Sequence, residues 1–123
     1  MNTSEDKREN VIVSRSFQFA LDLVQYAERL ESERKYVIQR QLLRSGTSIG
    51  ANVREAQSAE SIRDFAHKMK VAAKEAEETE YWLLICQHSD SYPDCLELLN
   101  EIRELIKILT SIIHSTNKKI KSQ

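Results

Sequence analysis

The chain has 123 residues and a formal net charge of −1, a length that fits one domain and leaves little room for two. Hydrophobic residues make up 41% and charged residues 30%, which supports a packed core and excludes a disordered chain. Only two glycines and one proline occur. Because β-rich and doubly wound folds need many tight turns, this scarcity indicates an all-α protein.

No membrane or secretory segment is recognisable in the sequence. No apolar stretch approaches the roughly 18 residues of a membrane span, and residues 1–10 are polar with mixed charge, unlike a signal peptide. The two cysteines do not make a disulfide framework. We therefore expect a cytoplasmic protein with no membrane partner.

The first predicted helix runs from about Ser14 to Leu30, after residues 1–10, which show no helical period and are expected to form a disordered tail. Its apolar residues fall in two stripes. One contains Phe17, Ala20, Leu21, Val24 and Ala27; the other contains Phe19, Leu23, Tyr26 and Leu30. Together they span roughly 220°, whereas a surface helix needs an apolar stripe of just over 100°. We therefore expect this helix to pack on two sides, the second of them against another copy of the chain.

The second predicted helix runs from about Glu33 to Gln57, with Ser32 as its N-cap. Gly46 lies on its apolar stripe of Ile38, Leu42, Ile49, Val53 and Ala56. A glycine inside a helix costs up to about 1 kcal/mol relative to alanine. We interpret Gly46, with Gly50, as a close approach of another backbone; the alternative is a local break of the helix between Arg44 and Gly50.

Two further helices complete the predicted fold. The third runs from about Ser61 to Gln87, and its first residues, Ser61 to Asp64, resemble a capping box with a shortened acid. A turn ending at Pro93 precedes the fourth, which runs to about Thr116. Short links between four helices predict an antiparallel up-down-up-down four-helix bundle over residues 11–117, followed by a basic tail over residues 118–123.

Motifs that carry catalysis or bind cofactors are missing from the sequence. There is no Gly-rich phosphate loop, no HExxH and no nucleophile elbow. Cys86, His88 and Cys95 lack an obvious fourth zinc ligand, and we interpret the cysteines as ordinary thiols near one end of the bundle. We expect a non-enzymatic protein with no catalytic residues, metal or cofactor.

Basic side chains are the best candidates for a binding surface. On the third helix they follow a single line at spacings of four, three and four residues: Arg63, His67, Lys70 and Lys74. The second helix adds Arg40, Arg44 and Arg54 as weaker candidates. Such a line can meet phosphates of RNA or DNA; the alternative is a solvated face. We interpret the acidic run at Glu75, Glu77, Glu78 and Glu80 as a solvated face that pairs with nearby lysines such as Lys74.

Two segments resemble a known family. They are Gln41 to Ala56, which contains Arg-Ser-Gly-Thr-Ser-Ile-Gly-Ala-Asn, and Asp64 to Leu83, which ends in Glu-Thr-Glu-Tyr-Trp-Leu. Together they resemble the bacterial four-helix-bundle family named for the protein encoded in 23S rRNA intervening sequences, over roughly residues 10–116.

The resemblance implies a short up-and-down bundle that assembles as a homopentamer and has no established enzymatic activity. Relatives of the family include the accessory protein of diversity-generating retroelements, which works with a reverse transcriptase and nucleic acid. We therefore predict a homo-oligomeric adaptor that binds RNA or DNA; the alternative is a protein-binding scaffold with no nucleic-acid contact. The residues predicted to pack helices or form the oligomer interface are Phe17, Phe19, Leu23, Tyr26, Gly46, Ile49, Gly50 and Asn52. For Asn52 and Glu55, polar contacts to another helix or subunit and an ordinary surface role both stay open.

Overall fold

A computed structural model describes residues 4–123, with side chains from Lys7 onward, and these residues form four α-helices without a strand. The helices are α1 (Ser4–Ser32), α2 (Tyr36–Ala56), α3 (Ile62–His88) and α4 (Leu96–Lys121). The predicted four-helix bundle is thereby confirmed. Within the described part of the chain, no helix is long and apolar enough to cross a membrane.

The four helices form a closed ring of neighbours around one core. α1 packs against α2 and α4, and α3 packs against the same two helices, while the backbones of the diagonal pairs lie farther apart among the described residues. α1 and α4 run in opposite directions: Arg15 meets Glu101, whereas Tyr26, farther along α1, meets Pro93, which precedes α4.

The core draws fully buried side chains from every helix. They include Phe19, Leu23, Leu30, Leu42, Ile49, Met69, Leu83, Ile102, Leu105 and Leu109. Ala72 and Ala76 are also fully buried and let α3 approach its neighbours closely. One polar pair lies inside this core: the Thr79 hydroxyl is 2.8 Å from Ser45 Oγ, which itself donates to the Gln41 carbonyl oxygen.

At both ends of the chain the structure has helix where the sequence predicted a tail. α1 begins at Ser4, so residues 4–10 are helical rather than disordered, while residues 1–3 lie outside the described residues. Arg8 explains the extension, because its guanidinium donates to Ser115 Oγ at 3.0 Å and to Ser111 Oγ on α4. At the other end α4 continues through the predicted basic tail to Lys121. Lysines in a last helical turn interact favourably with the helix dipole.

The predicted start of α2 is wrong. Ser32 is the last residue of α1, and its hydroxyl donates to the Arg29 carbonyl oxygen at 2.7 Å instead of capping α2. The chain turns at Arg34, whose φ of 63° lies in the left-handed region, and α2 begins after Lys35 without a side-chain cap. Such a φ is uncommon for a residue with a Cβ atom, so the turn between α1 and α2 is strained.

The other two helix starts agree more closely with the sequence. Ser61 caps α3, since its Oγ accepts from the Asp64 backbone N–H at 3.0 Å. The Asp64 carboxylate reaches back to the N–H of Glu60 at 3.2 Å, one residue before the position a capping box uses. α4 begins at Leu96, three residues after the predicted Pro93, whose carbonyl oxygen accepts a 2.7 Å hydrogen bond from Tyr26.

Both glycines of α2 lie against α1, and the helix is unbroken from Arg44 to Gly50. A Cβ atom added to Gly46 would overlap Cδ2 of Leu23, so the space that a side chain would fill belongs to α1. At Gly50 the nearest atom is the Ser16 backbone oxygen, at an ordinary contact distance of 3.5 Å. The predicted close approach is therefore present, but at Gly46 the neighbour is a side chain rather than backbone.

Candidate nucleic-acid interface

Arg63, His67, Lys70 and Lys74 form a straight line along the outside of α3, here called the basic ridge. All four are exposed. The buried residues Ala66, Met69, Ala72 and Ala76 occupy the opposite side of the same helix. With a rise of 1.5 Å per residue, the ridge is about 16 Å long, and its neighbouring residues are about 4.5–6 Å apart along the axis.

No residue of the basic ridge makes an ion pair or hydrogen bond within the described part of the chain. Other cations on and around α3 are paired. Lys68 donates to the Glu55 carboxylate at 3.1 Å, and Arg103 donates to Glu80 at 2.9 Å. The fold itself thus leaves the permanent cations of the ridge, Arg63, Lys70 and Lys74, without an acidic partner.

Three members of the acidic run of α3, Glu75, Glu78 and Glu80, pair with arginines of other helices rather than with Lys74. Arg44 of α2 lies 3.4 Å from the Glu75 carboxylate and also pairs with Glu78. The expected pairing of these glutamates with lysines of the same helix is therefore wrong. It fails because α2 and α4 bring arginines to both flanks of α3, while Lys74 lies on the outer line.

The three arginines predicted on α2 do not form a second ridge. Arg44 is neutralised by its two glutamates. Arg54 lies over the Phe17 ring of α1, with its guanidinium carbon 5.5 Å from the ring centre, a cation–π geometry. Arg40 is exposed. The structure therefore leaves Arg63, Lys70 and Lys74 as the strongest candidates for phosphate contacts.

Tyr81 extends the outer line of α3 beyond the basic ridge, and it was not predicted as a surface residue. Its side chain is 59% exposed. Its ring meets that of Trp82 edge to face, with centroids 5.4 Å apart and planes at 62°. Trp82 Nε1 donates to the Glu78 carboxylate at 3.0 Å, and Glu78 is held by Arg44. The signal that reveals Tyr81 is its spacing of seven residues from Lys74, which keeps the same face of a helix.

The residues predicted at an interface divide into an internal and an external set. Phe19, Leu23, Tyr26, Gly46 and Ile49 are buried inside the single chain. Gly50 and Asn52 are half-buried, and the Asn52 amide donates to the Ser48 carbonyl oxygen at 2.9 Å within its own helix. Glu55 pairs with Lys68 of α3.

Phe17 belongs to the external set. With Leu21 and Val24 it forms an apolar strip along α1, here called the α1 strip, and these side chains are 50%, 45% and 37% exposed. The other predicted stripe of α1 is buried in the core. Within one chain, the second side predicted from the wide apolar arc of α1 is therefore exposed at Phe17, Leu21 and Val24, while Ala27 of the same stripe is buried.

The thiols lie where α3 meets the turn to α4, close to Tyr26. Cys86 and Cys95 are both buried, and the Cys95 thiol donates to the Leu83 carbonyl oxygen at 3.3 Å. Burial raises the pKa of Cys95 to about 11, and burial also raises the pKa of Cys86 and of Tyr26. Protonated thiols are poor nucleophiles and poor metal ligands. Among the described residues, no group of three or more His, Cys, Asp or Glu side chains is arranged to hold a metal ion.

A groove of about 770 Å³ runs between α1 and α4. Its lining mixes charges of both signs, and Arg15 closes one side with a bidentate pair to Glu101 at 2.9 and 3.0 Å. Asp22 accepts from Gln18 at 3.1 Å within α1. Arg15 with Glu101, and Gln18 with Asp22, thus form paired polar groups along this groove.

The 23S rRNA-intervening sequence protein family matches residues 8–111, from the first turns of α1 into α4. Among solved structures, the chain is similar to a protein of unknown function from the S23 ribosomal protein family of Bacteroides thetaiotaomicron VPI-5482, determined at 1.70 Å. The two chains are 42% identical over 87% of this chain and 98% of that one, with a TM-score of 0.82. No curated protein matches in sequence. The resemblance predicted from the two sequence segments is confirmed, and the chain belongs to the 23S rRNA-intervening sequence protein family.

Proposed function

We propose that this protein is a non-enzymatic, homo-oligomeric adaptor that binds RNA or DNA through the basic ridge of α3. The observation that carries the proposal is the contrast between the ridge and its surroundings. Arg44, Lys68 and Arg103 all have acidic partners, whereas Arg63, Lys70 and Lys74 lie exposed on one line without any. Although the chain has a net charge of −1, this row of uncompensated cations is a local surface that favours a phosphate backbone as its partner.

The strength of the interaction follows from the number of charges. Three permanent cations that each neutralise one phosphate of a single strand predict a slope of about −2 in a plot of log K against log salt concentration. One ridge per chain therefore binds weakly at physiological salt. In an oligomer the ridge is repeated, and simultaneous contacts of several copies raise the overall affinity without any new interaction.

The salt dependence of binding tests this proposal. Labelled RNA and DNA oligonucleotides are titrated with protein over a salt series, and each of the substitutions Lys70→Gln and Lys74→Gln is expected to reduce the slope by about 0.7. Lys68→Gln is the matched control, because it removes one charge from the same helix at a lysine that is paired with Glu55. Absence of binding at low salt, or equal slopes for all three variants, contradicts the proposal.

The α1 strip supports the oligomeric part of the proposal. Phe17, Leu21 and Val24 lie in a row on one helix, and a contiguous exposed apolar surface is characteristic of a protein–protein interface. Covering the strip with a second copy removes it from water without any change in the fold of the chain. Light scattering after gel filtration is expected to give a mass several times 14.3 kDa, and a mass of one chain contradicts this part.

A protein-binding scaffold is the second candidate, and the same α1 strip favours it if copies of the chain do not cover it. In that case a partner protein is retained in a pull-down after nuclease treatment, and the Lys70→Gln variant retains it equally well. Loss of the partner on nuclease treatment excludes this candidate and favours the nucleic-acid adaptor.

A further inference from the structure

The outer line of α3 does not end with the basic ridge. Counting on from Lys74, the same helical spacing of three and four residues continues to Glu77 and Tyr81. Both are exposed, and Glu77 makes no ion pair or hydrogen bond in the described part of the chain. One face of α3 therefore carries cations, then a free carboxylate, and then an aromatic ring.

The Tyr81 ring is held in place rather than left mobile on the surface. Its edge-to-face contact with Trp82 fixes one side, and Trp82 is anchored through its indole N–H to Glu78. Glu78 in turn pairs with Arg44 of the neighbouring helix. An aromatic ring that is ordered before binding loses little conformational freedom when a partner stacks on it.

Aromatic rings beside cationic surfaces bind unpaired nucleic-acid bases by stacking. A duplex offers neither a free base face nor a free Watson–Crick edge along its length, so such a ring selects single-stranded segments. The Glu77 carboxylate repels phosphate. The sugar–phosphate backbone of the nucleic acid therefore leaves the ridge after Lys74, and a base rather than a phosphate contacts Tyr81.

The carboxylate decides which base fits. Glu77 and Tyr81 are four residues apart on one helix, so their side chains are neighbours. An ionised carboxylate only accepts hydrogen bonds, and it accepts two at once from a pair of adjacent donors. Guanine presents such a pair on its Watson–Crick edge, N1–H and the 2-amino group, whereas adenine and cytosine present one amino group beside an acceptor.

The geometry points to a base-recognition site at the end of the basic ridge, in which an unpaired guanine stacks on Tyr81 and donates N1–H and N2–H to the Glu77 carboxylate. This inference rests on the proposed function, since the ridge supplies the phosphate contacts that bring the base to the ring. Phosphate contacts with the ridge do not depend on base sequence. The site at Glu77 and Tyr81 adds a preference for unpaired guanine to them.

Short RNA probes test the inference with the full chain. The probes are oligouridylates of about ten nucleotides, a length within the range bound by single-strand sites, with or without one guanosine at either end. One of the guanosine probes is expected to bind at least fivefold more tightly, roughly the lower limit for one bidentate base contact. Inosine, which lacks the 2-amino group, is expected to bind between guanosine and uridine. The corresponding DNA probes show whether the sugar matters.

Substitutions separate the two parts of the site. Glu77→Gln is expected to remove the preference for guanosine, because an amide presents one acceptor oxygen and a donor in place of two acceptors. Tyr81→Ala is expected to weaken binding of the guanosine probe at least fivefold, whereas Tyr81→Phe keeps the stacking ring and therefore the preference for guanosine. Both sites are exposed, so the fold tolerates these changes. Tyr36→Ala, at another exposed tyrosine, is the control.

Every outcome bears on the inference. Tighter binding of a guanosine probe that depends on both Glu77 and Tyr81 supports it. Equal binding of all probes with a normal salt slope overturns the guanine site and leaves the ridge intact. Absence of binding to any probe at low salt overturns the guanine site together with the proposed function.

Discussion

The two glycines of α2 are expected to respond to alanine in opposite directions. At Gly46 the new Cβ atom overlaps Cδ2 of Leu23, a side chain that is itself fully buried. Cε2 of Phe19 also lies 3.7 Å from the new Cβ atom. At Gly50 the new Cβ atom meets only Ser16, at 3.5 Å. The same chemical change therefore forces a rearrangement at one position and fits at the other.

The magnitudes follow from two competing terms. Alanine in place of glycine inside a helix stabilises by up to about 1 kcal/mol. Forcing an extra methyl group into a packed core costs about 1–3 kcal/mol. Gly50→Ala is therefore expected to stabilise the protein by roughly 0.5–1 kcal/mol, whereas Gly46→Ala is expected to destabilise it by up to about 2 kcal/mol.

Urea denaturation at one protein concentration measures both variants, with the midpoint compared at an unchanged slope. A double variant identifies the cause: in a Leu23→Ala background, which opens the space, Gly46→Ala is expected to become neutral or stabilising. If Gly46→Ala proves as stable as Gly50→Ala in the wild-type background, the packing of Leu23 against the bare backbone of α2 is refuted.

Three further predictions follow from other parts of the structure. Leu21→Lys places a charge in the α1 strip and is expected to shift the mass in light scattering toward one chain, whereas Val37→Lys, at a valine 72% exposed on α2, leaves it unchanged; equal masses for both variants would show that the strip is not an interface. Thr79→Val removes the buried hydrogen bond to Ser45 and is expected to cost about 1 kcal/mol in urea denaturation, and an unchanged midpoint contradicts that role. Burial raises the pKa of Cys95 from 9.0 to about 11, so the thiol ionises at lower pH in the unfolded chain than in the folded one. This contribution to stability is therefore fully present below pH 9 and is lost as the pH rises toward 11. Cys95→Ala is expected to reduce the loss of stability over this pH range, and an unchanged loss excludes the thiol as its source.

The bundle could be predicted from the sequence because its determinants are local. Helical spacing of apolar residues identified two stripes on α1, and the one that contains Phe19 and Leu23 lies in the core. Ser61 could be recognised as a cap because its partner, the Asp64 backbone N–H, lies three residues away. The prediction that Ser32 caps α2 failed because its hydroxyl donates instead to the carbonyl oxygen of Arg29, three residues earlier in α1.

The sequence by itself determined the number of helices, the core face of α2 and the line of cations on α3, because each depends on a periodicity of about 3.6 residues. Tertiary structure alone decided the partners. Arg8 finds its serines more than 100 residues away on α4, and Arg44 pairs with Glu78, which spacing assigned to Lys74. A long flexible side chain pairs with whatever neighbouring helix comes within reach, and that neighbour is fixed only when the core has packed.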